Sequence, residues 1–392
     1  MAPKKQTVTA KALQSLLTRI GSASSGTKAT LQDRLVRDIY KSRLFERRVD
    51  WKARQELDWG RKLRIVSIDM GIKNLAFCDV EVDYPSKDSL NATMNVIRWE
   101  KIDLVKSTRS FRHHLPSPKK IKKGSIDEDE DVDPYSLKVL SRTAHSLIKR
   151  DILAGAPDII LIEKQRWRSG GGSAILQWTV RVNTLEAMLW AILQTLRSEW
   201  EIALEGYRKP GKRDYDVCEV DPKRVGQYWL GQTNQAQELS LSDEEGVDEK
   251  DEAATKKKTS RGKAEKKAKV AILRSWLSPD VPSTVPSAKG NTPTISFDII
   301  RAGHVKQALC SPSKSPRRKS KKSSDEVDDA GADLKKLDDM TDCFLQAAAW
   351  VSWESNRLQL LAVQDKKRKE DGSVAKMSDE VVLEMAKEVG VL

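Results

Sequence analysis

The stretch SIDMGIKNLAF, Ser67 to Phe77, decides the fold. An apolar run, Leu63 to Met70, leads into it. A carboxylate, Asp69, stands inside that run, two residues ahead of Gly71. A strand that reads as buried has no ordinary use for an acid in its interior. An unpaired carboxylate out of water is costly, so a metal, a phosphate or a cation is expected to compensate it. The glycine lets a backbone or a phosphate approach closely.

Working outward, LAFCDVEVDY (Leu75 to Tyr84) and TMNVIRWEKIDL (Thr93 to Leu104) alternate with period two, as antiparallel neighbours of the first strand do. Tyr135 to Ile152 carries Leu137, Leu140, Ala144, Leu147 and Ile148 at helical spacing. DIILIEKQ (Asp158 to Gln165) reads as a second buried strand, and Ser173 to Trp200 as a long helix. A strand at Asp214 to Pro222 and a helix at Pro222 to Leu230, with Pro near its first position, come next. Helices follow at Ala268 to Leu277 and about Leu334 to Leu361. This order predicts an α/β fold with a mixed sheet flanked by helices.

The chain has 392 residues, enough for one large domain plus a small one. Its charged fraction of 32% is high and its hydrophobic fraction of 39% is low, so part of the length is expected to stay solvated. Residues 117–134, 232–267 and 311–333 read as such insertions, and residues 363–392 as a C-terminal tail. The net charge of +13 points to a polyanionic partner. Cys78, Cys218, Cys310 and Cys343 lie far apart without zinc-ligand spacing and read as free thiols. No stretch reaches the roughly 18 apolar residues that a membrane helix needs. The first residues are basic, rich in Ser and Thr, and contain no acid before Asp33, as in an organelle transit signal or an ordinary basic helix. Residues 1–45 form a small module of two helices around a Gly/Ser turn. Leu13, Leu16, Leu17 and Ile20 line one helix, and Leu31, Leu35 and Ile39 the other. A hairpin that merely packs on the main domain, residues 60–362, is the alternative to a binding unit.

Two further acidic groups join Asp69. Glu163 ends the second buried strand and is followed by Lys164, Arg166, Trp167 and Arg168, then Gly170 to Gly172. Cations around an aromatic suit a phosphate backbone and bases. Glycines ahead of a helix N-terminus suit the approach of an anion. Asp338 and Asp342, four apart, share one helical face, and Asp339 and Asp342, three apart, nearly so. Each group alone could be a solvated turn or a helix start. Together they can converge on two Mg²⁺ ions roughly 3.5–4 Å apart, as in phosphodiester hydrolysis.

SIDMGIKNLAF, IEKQRWRSGGGS and KKLDDMTDCFLQAAAW resemble the three acidic motifs of the fungal mitochondrial Holliday-junction resolvases, the cruciform-cutting endonucleases. The N-terminal leucine pairs with Gly26, Lys28, Leu31, Arg34 and Leu35 resemble a SAP motif. The resemblance implies a ribonuclease H-like, RuvC-related fold. It also implies a homodimer that cuts four-way DNA junctions in the mitochondrial matrix by paired nicks, leaving 5′-phosphate and 3′-hydroxyl ends, near a CT step. It implies two Mg²⁺ ions, with Mn²⁺ able to substitute, and neither a small-molecule cofactor nor a membrane partner. Asp69, Glu163, Asp338 and Asp342 become the catalytic carboxylates, with Asp339 a further metal neighbour. Lys73, Lys164, Arg166, Trp167, Arg168 and Gly171, with Lys28 and Arg34, become DNA contacts. Two rivals are an ATPase of the actin and sugar-kinase superfamily, against which no late glycine-rich adenosine motif is found, and a non-catalytic SAP-type DNA-binding protein.

The long helix carries one apolar stripe at Trp178, Val182, Leu185, Leu189, Ile192 and Leu196, expected to face its own core. Leu176, Val180, Ala187 and Leu193 widen it toward a second buried side, expected to be the dimer contact.

Overall fold

The computed structural model describes residues 7–43, 62–83, 90–106, 133–165, 176–204, 215–231, 261–278, 295–299, 302–310, 337–366 and 377–391. Two helices, α1 (Ala10–Arg19) and α2 (Lys28–Asp38), precede the strands β1 (Leu63–Asp69), β2 (Leu75–Val82) and β3 (Ala92–Ile102). Helix α3 (Leu137–Ser146) runs on through a π turn at Leu147–Ile152. Then come β4 (Ile159–Glu163), α4 (Gln177–Leu204), β5 (Asp216–Val220), α5 (Pro222–Leu230) and α6 (Arg261–Leu277). The chain continues through β6 (Ile295–Ile299), α7 (Gly303–Cys310), α8 (Leu337–Lys366) and α9 (Asp379–Glu388).

The sheet order is β5-β4-β1-β2-β3-β6. β1, β2 and β3 form the expected antiparallel meander. β4 lies parallel to β1 on its other side, and β5 parallel to β4. A meander extended by parallel strands is the ribonuclease H-like arrangement. Side chains alternate across such a strand. Val66 and Ile68 of β1 therefore join the core under α3 and α4, while Leu63 and Ile65 join the core under α5, α6 and α8. Ser67 and Asp69 share the α8 face.

Helix α8 is buried almost all round. Its buried residues include polar ones, among them Gln346, Glu354 and Asn356, so the helix is enclosed although it is not apolar on every side. Its position is fixed by polar contacts as well as packing. The Trp99 indole donates to the Met340 carbonyl (2.9 Å), and the Trp229 indole to the Leu345 carbonyl (3.0 Å). The buried Gln346 amide donates to Ser67 Oγ (3.1 Å) and to the Ile68 carbonyl (3.3 Å). These bonds set the first turns of α8 against the end of β1.

Four differences from the sequence reading have physical reasons. β6 and α7 were not anticipated, because five strand residues and eight helical ones beyond Pro293 carry too short a pattern. Helix α6 begins at Arg261 rather than Ala268, so Arg261–Lys267 leave the expected insertion. Those residues are mostly good helix formers, and their polarity hid the extension. The C-terminal tail contains α9, capped at Ser378 and burying Val381, Val382, Met385 and Ala386. Finally, the N-terminal hairpin does not stand apart. Leu13, Leu16, Leu17, Ile20, Leu31, Leu35 and Ile39 form one core with Leu360, Leu361 and Val363 of α8 and with α9. Gly21 closes α1 with φ +67°, and a Cβ there would run into the Trp353 ring of α8. The hairpin therefore packs on the main body of the fold.

Candidate active site

Asp69 ends β1 and Glu163 ends β4. The two strands are parallel and paired in register, Ile68 opposite Ile162. The next residue on each strand is the acid, so the topology sets the two carboxyls side by side at the carboxyl edge of the sheet. That edge is where open α/β sheets take their ligands. Helix α8 brings its first turn to the same edge, held there by Gln346 and Trp99.

The electrostatics identify which acids meet. The Asp69 carboxyl is pushed well above the ordinary carboxylate range. Burial is the main cause, followed by a side-chain hydrogen bond with Glu163 and by the charges of Glu163, Asp342 and Asp339. Asp342 is also raised, by burial and by Glu163, against the opposing pull of Lys269 and Lys266. Asp338 points elsewhere. Although burial opposes it, a 2.7 Å bond from Lys266 Nζ holds its pKa below the ordinary value, and its side chain is partly exposed. Asp69, Glu163, Asp339 and Asp342 therefore form one electrostatic cluster, with the Asp338–Lys266 pair at its edge.

Several members were missed from sequence. Lys269 of α6 reaches Asp342 Oδ1 at 3.0 Å and Glu265 at 3.6 Å, with a nearly buried side chain. Glu186 of α4 accepts from the Gln165 backbone N–H (3.5 Å), and burial, then the charges of Glu219 and Glu163, raise its pKa. A lysine in register with Leu273 and Trp276 on a helix face was the available signal for Lys269. Glu186 had none beyond its place on the long helix.

The expected DNA contacts divide. Arg166, Trp167, Arg168 and Gly171 lie outside the described residues. Lys73 and Lys28 are exposed. Lys164 is exposed but pairs with Glu219 of β5 at 2.9 Å. Arg34 is half-buried, and its guanidinium donates to the carbonyls of Ala23 and Ser25, tying the loop before α2.

The donor set is all oxygen, which suits a hard divalent cation. Among the described residues no group of three or more His, Cys or acidic side chains is placed to hold a metal ion together. Mg²⁺ keeps several waters and takes one or two carboxylates, so an open cluster fits it. Asp69 with Glu163, and Asp342 with Asp339, are the residues that would hold such an ion.

A ribonuclease H-like sheet with carboxylates converging on its carboxyl edge defines a class of hydrolases. Residues 65–360 match the family described as mitochondrial resolvase Ydc2 / RNA splicing MRS1, and the chain belongs to that family. A relative named mitochondrial cruciform cutting endonuclease 1, from Saccharomyces cerevisiae, is 24% identical over 307 residues, 78% of this chain and 72% of the relative. One of the same name from Schizosaccharomyces pombe is 30% identical over 129 residues, 33% of this chain and 41% of that protein. The crystal structure of the yeast mitochondrial Holliday junction resolvase Ydc2 overlays at a TM-score of 0.42 and 19% identity, covering 90% of this chain and 96% of that one. Thermus thermophilus RuvC overlays at 0.24 and 14%, covering 49% and 86%.

Proposed function

We propose that this chain is a mitochondrial, structure-selective endodeoxyribonuclease that resolves four-way DNA junctions. One observation carries the reading: Asp69, Glu163, Asp339 and Asp342, from three separate elements, converge at the carboxyl edge of the sheet. The family and the names of the relatives support the substrate and a mitochondrial location, within which we place the chain in the matrix. The ion we infer is Mg²⁺, replaceable by Mn²⁺. When bound it supplies Lewis-acid stabilisation of the charge that develops on the phosphodiester and lowers the pKa of the attacking water. Asp69 and Glu163 orient from the sheet, and Asp339 and Asp342 from α8. We assign Asp338 to holding Lys266 rather than to the metal. Lys73 and the cations from Lys164 to Arg168 are the proposed phosphate contacts near the cut. Lys28 and the basic face of the N-terminal hairpin would lie on a junction arm as a SAP-like surface, while Arg34 keeps its structural role.

A homodimer completes the reading, since two identical sites related by a two-fold axis match paired cuts. Leu193, not Trp178, belongs to the buried stripe of α4, with Val182, Leu185, Leu189 and Leu196. Leu176, Trp178 and Val180 stand exposed at the start of that helix, with the Trp178 ring edge-on to Tyr135 at 5.8 Å. They are the patch we assign to the subunit contact. Leu176→Glu with Val180→Glu is expected to give a folded monomer by sedimentation that nicks a cruciform plasmid but does not linearise it. A variant that is still dimeric would move the contact elsewhere.

The family's description also names RNA splicing, and a splicing factor has no need of buried carboxylates. Purified chain is therefore tested on a synthetic four-way junction with and without Mg²⁺. Symmetric Mg²⁺-dependent cuts support the resolvase reading. Junction binding without cuts, together with binding of structured RNA, would overturn it.

A further inference from the structure

Helix α6 presents Lys266, Lys269, Leu273, Trp276 and Leu277 at three- and four-residue spacing. Leu273, Trp276 and Leu277 are buried in the core beneath α8. Lys269 sits on the same face as those core residues and is itself only 7% exposed. A lysine in that register gives up hydration, and it is retained only where a charge repays the loss. The repayment here comes from the active site. Lys269 Nζ lies 3.0 Å from Asp342 Oδ1 and feels Glu265 and Glu163 as well. Its stem lies against α5 where that helix comes closest: a Cβ on Gly226 would meet Glu265 Oε1 at 2.8 Å and Lys269 Cε at 3.8 Å. The ammonium is therefore packed in place from two helices, unlike Lys266, whose side chain is 55% exposed on Asp338.

We propose that Lys269 is a resident cation of the carboxylate cluster, standing in for one of the two divalent ions that four acids could hold, so that the chain binds one ion per site. The inference rests on the nuclease reading of this site and says how its charge is balanced. Four carboxylates need more positive charge than one divalent ion supplies. A fixed ammonium on Asp342 provides part of it with no entropy cost of capture, and it occupies an oxygen that a second ion would need. Lys269 is in this sense a positioning residue for the metal site. It holds Asp342 and limits ion occupancy.

The test counts ions on the full-length chain with Mn²⁺, by calorimetry and by the electron-spin signal of free Mn²⁺. The acidic insertions also take up Mn²⁺, so site ions are counted as the excess of each protein over its Asp69→Asn counterpart. Wild type is expected to show an excess of one. Lys269→Met is expected to show two, or one bound at least about tenfold more tightly, because a fixed positive charge beside the ligands has gone. Lys269→Arg, which keeps the charge, should count like wild type. A wild-type excess of two or of none overturns the proposal, and so does a folded Lys269→Met protein with unchanged count and affinity. The wild-type count stands even if Lys269→Met does not fold. Wild-type junction cleavage is scored separately. A chain with the expected counts that cuts no junction would leave Lys269 in this role and topple the resolvase reading instead.

Discussion

Asp69 and Asp79 lie on adjacent antiparallel strands of one sheet, both buried, and are surrounded by opposite kinds of charge. Asp79, on β2, faces away from α8. Arg64 grips it with two bonds of 2.9 Å, and Arg98 Nε adds a third of 2.9 Å. Arg98 in turn donates to the Asp151 carbonyl (2.7 Å) and lies over the Phe77 ring. Gly155 leaves room for this cluster, since a Cβ there would meet Arg64 Nη2 at 2.9 Å. With Glu81, 3.7 Å from Arg64, the two carboxylates and two guanidiniums of this group balance internally. Asp69, on the other face, has carboxylates for neighbours: Glu163, Asp342 and Asp339. A balanced buried charge holds a fold together, whereas an unbalanced one waits for a ligand.

The largest expected effect separates the two aspartates by activity. Asp69→Asn should lower junction cleavage by about 10³-fold, comparable to losing one preorganised electrostatic stabiliser. Junction affinity should remain, because it derives from cations on phosphate. Asp79→Asn should cleave normally per folded molecule but unfold more easily. It strands two guanidiniums, for which the cost is about 3–5 kcal/mol, nearer the lower end here because both arginines reach solvent. Cleavage assays and urea denaturation on both variants check this. A stable Asp79→Asn protein without activity would break the comparison.

A smaller effect sharpens it. Among the described residues, the Gln346 side chain bonds α8 to both Ser67 Oγ and the Ile68 carbonyl, directly behind Asp69. Gln346→Leu leaves a buried hydroxyl and carbonyl short of a donor, worth about 1–3 kcal/mol. It should also loosen Asp342 relative to Asp69. Denaturation is expected to show the stability loss, and cleavage to fall less than in Asp69→Asn. If cleavage fell as far as in Asp69→Asn with no stability loss, Gln346 would belong to the chemistry itself.

What the sequence disclosed follows the same physics. Asp69 and Glu163 were readable because each closes an apolar strand, a pattern local in sequence. The α8 acids were readable as a group, but choosing between Asp338 and Asp339 was not. Helical spacing favoured Asp338 with Asp342, and the contact that sets Asp338 apart comes from Lys266, a residue 72 positions away in sequence. Lys269 was hidden for the same reason, since its partner lies on another helix. The meander was legible from period-two alternation in β2 and β3. β6 was not, because a five-residue edge strand gives too little alternation to separate it from a loop. Trp178 and Leu193 exchanged places because adjacent helical stripes differ by one residue in spacing, and only packing against the sheet chooses between them.

The smallest effect concerns pH, and it depends on the charge imbalance directly. A carboxyl whose pKa is raised on folding keeps its proton longer in the native state than in the unfolded chain. The stability it contributes is fully present below the ordinary carboxylate range, about pH 4, and is lost as pH rises through the folded value. Asp69 and Asp342 are both shifted in that direction, first by burial. Asp338, against burial, is lowered by Lys266. Asp38 is lowered to about 2 by Arg37 and Lys41, again against burial, and runs the opposite way. Both of these are common to wild type and to Asp69→Asn, so the difference between the two proteins isolates the cluster. Without metal, Asp69→Asn should melt at the same temperature as wild type near pH 4 and progressively above it as pH rises toward 8. Added Mg²⁺ should stabilise wild type and close the gap, because the ion supplies the charge that the cluster lacks. Calorimetric melts of both proteins across that range, with and without Mg²⁺, make the measurement. A gap that widened toward acid would mean that Asp69 is balanced by a cation in the fold, as Asp79 is, and the contrast between the two strands would fail.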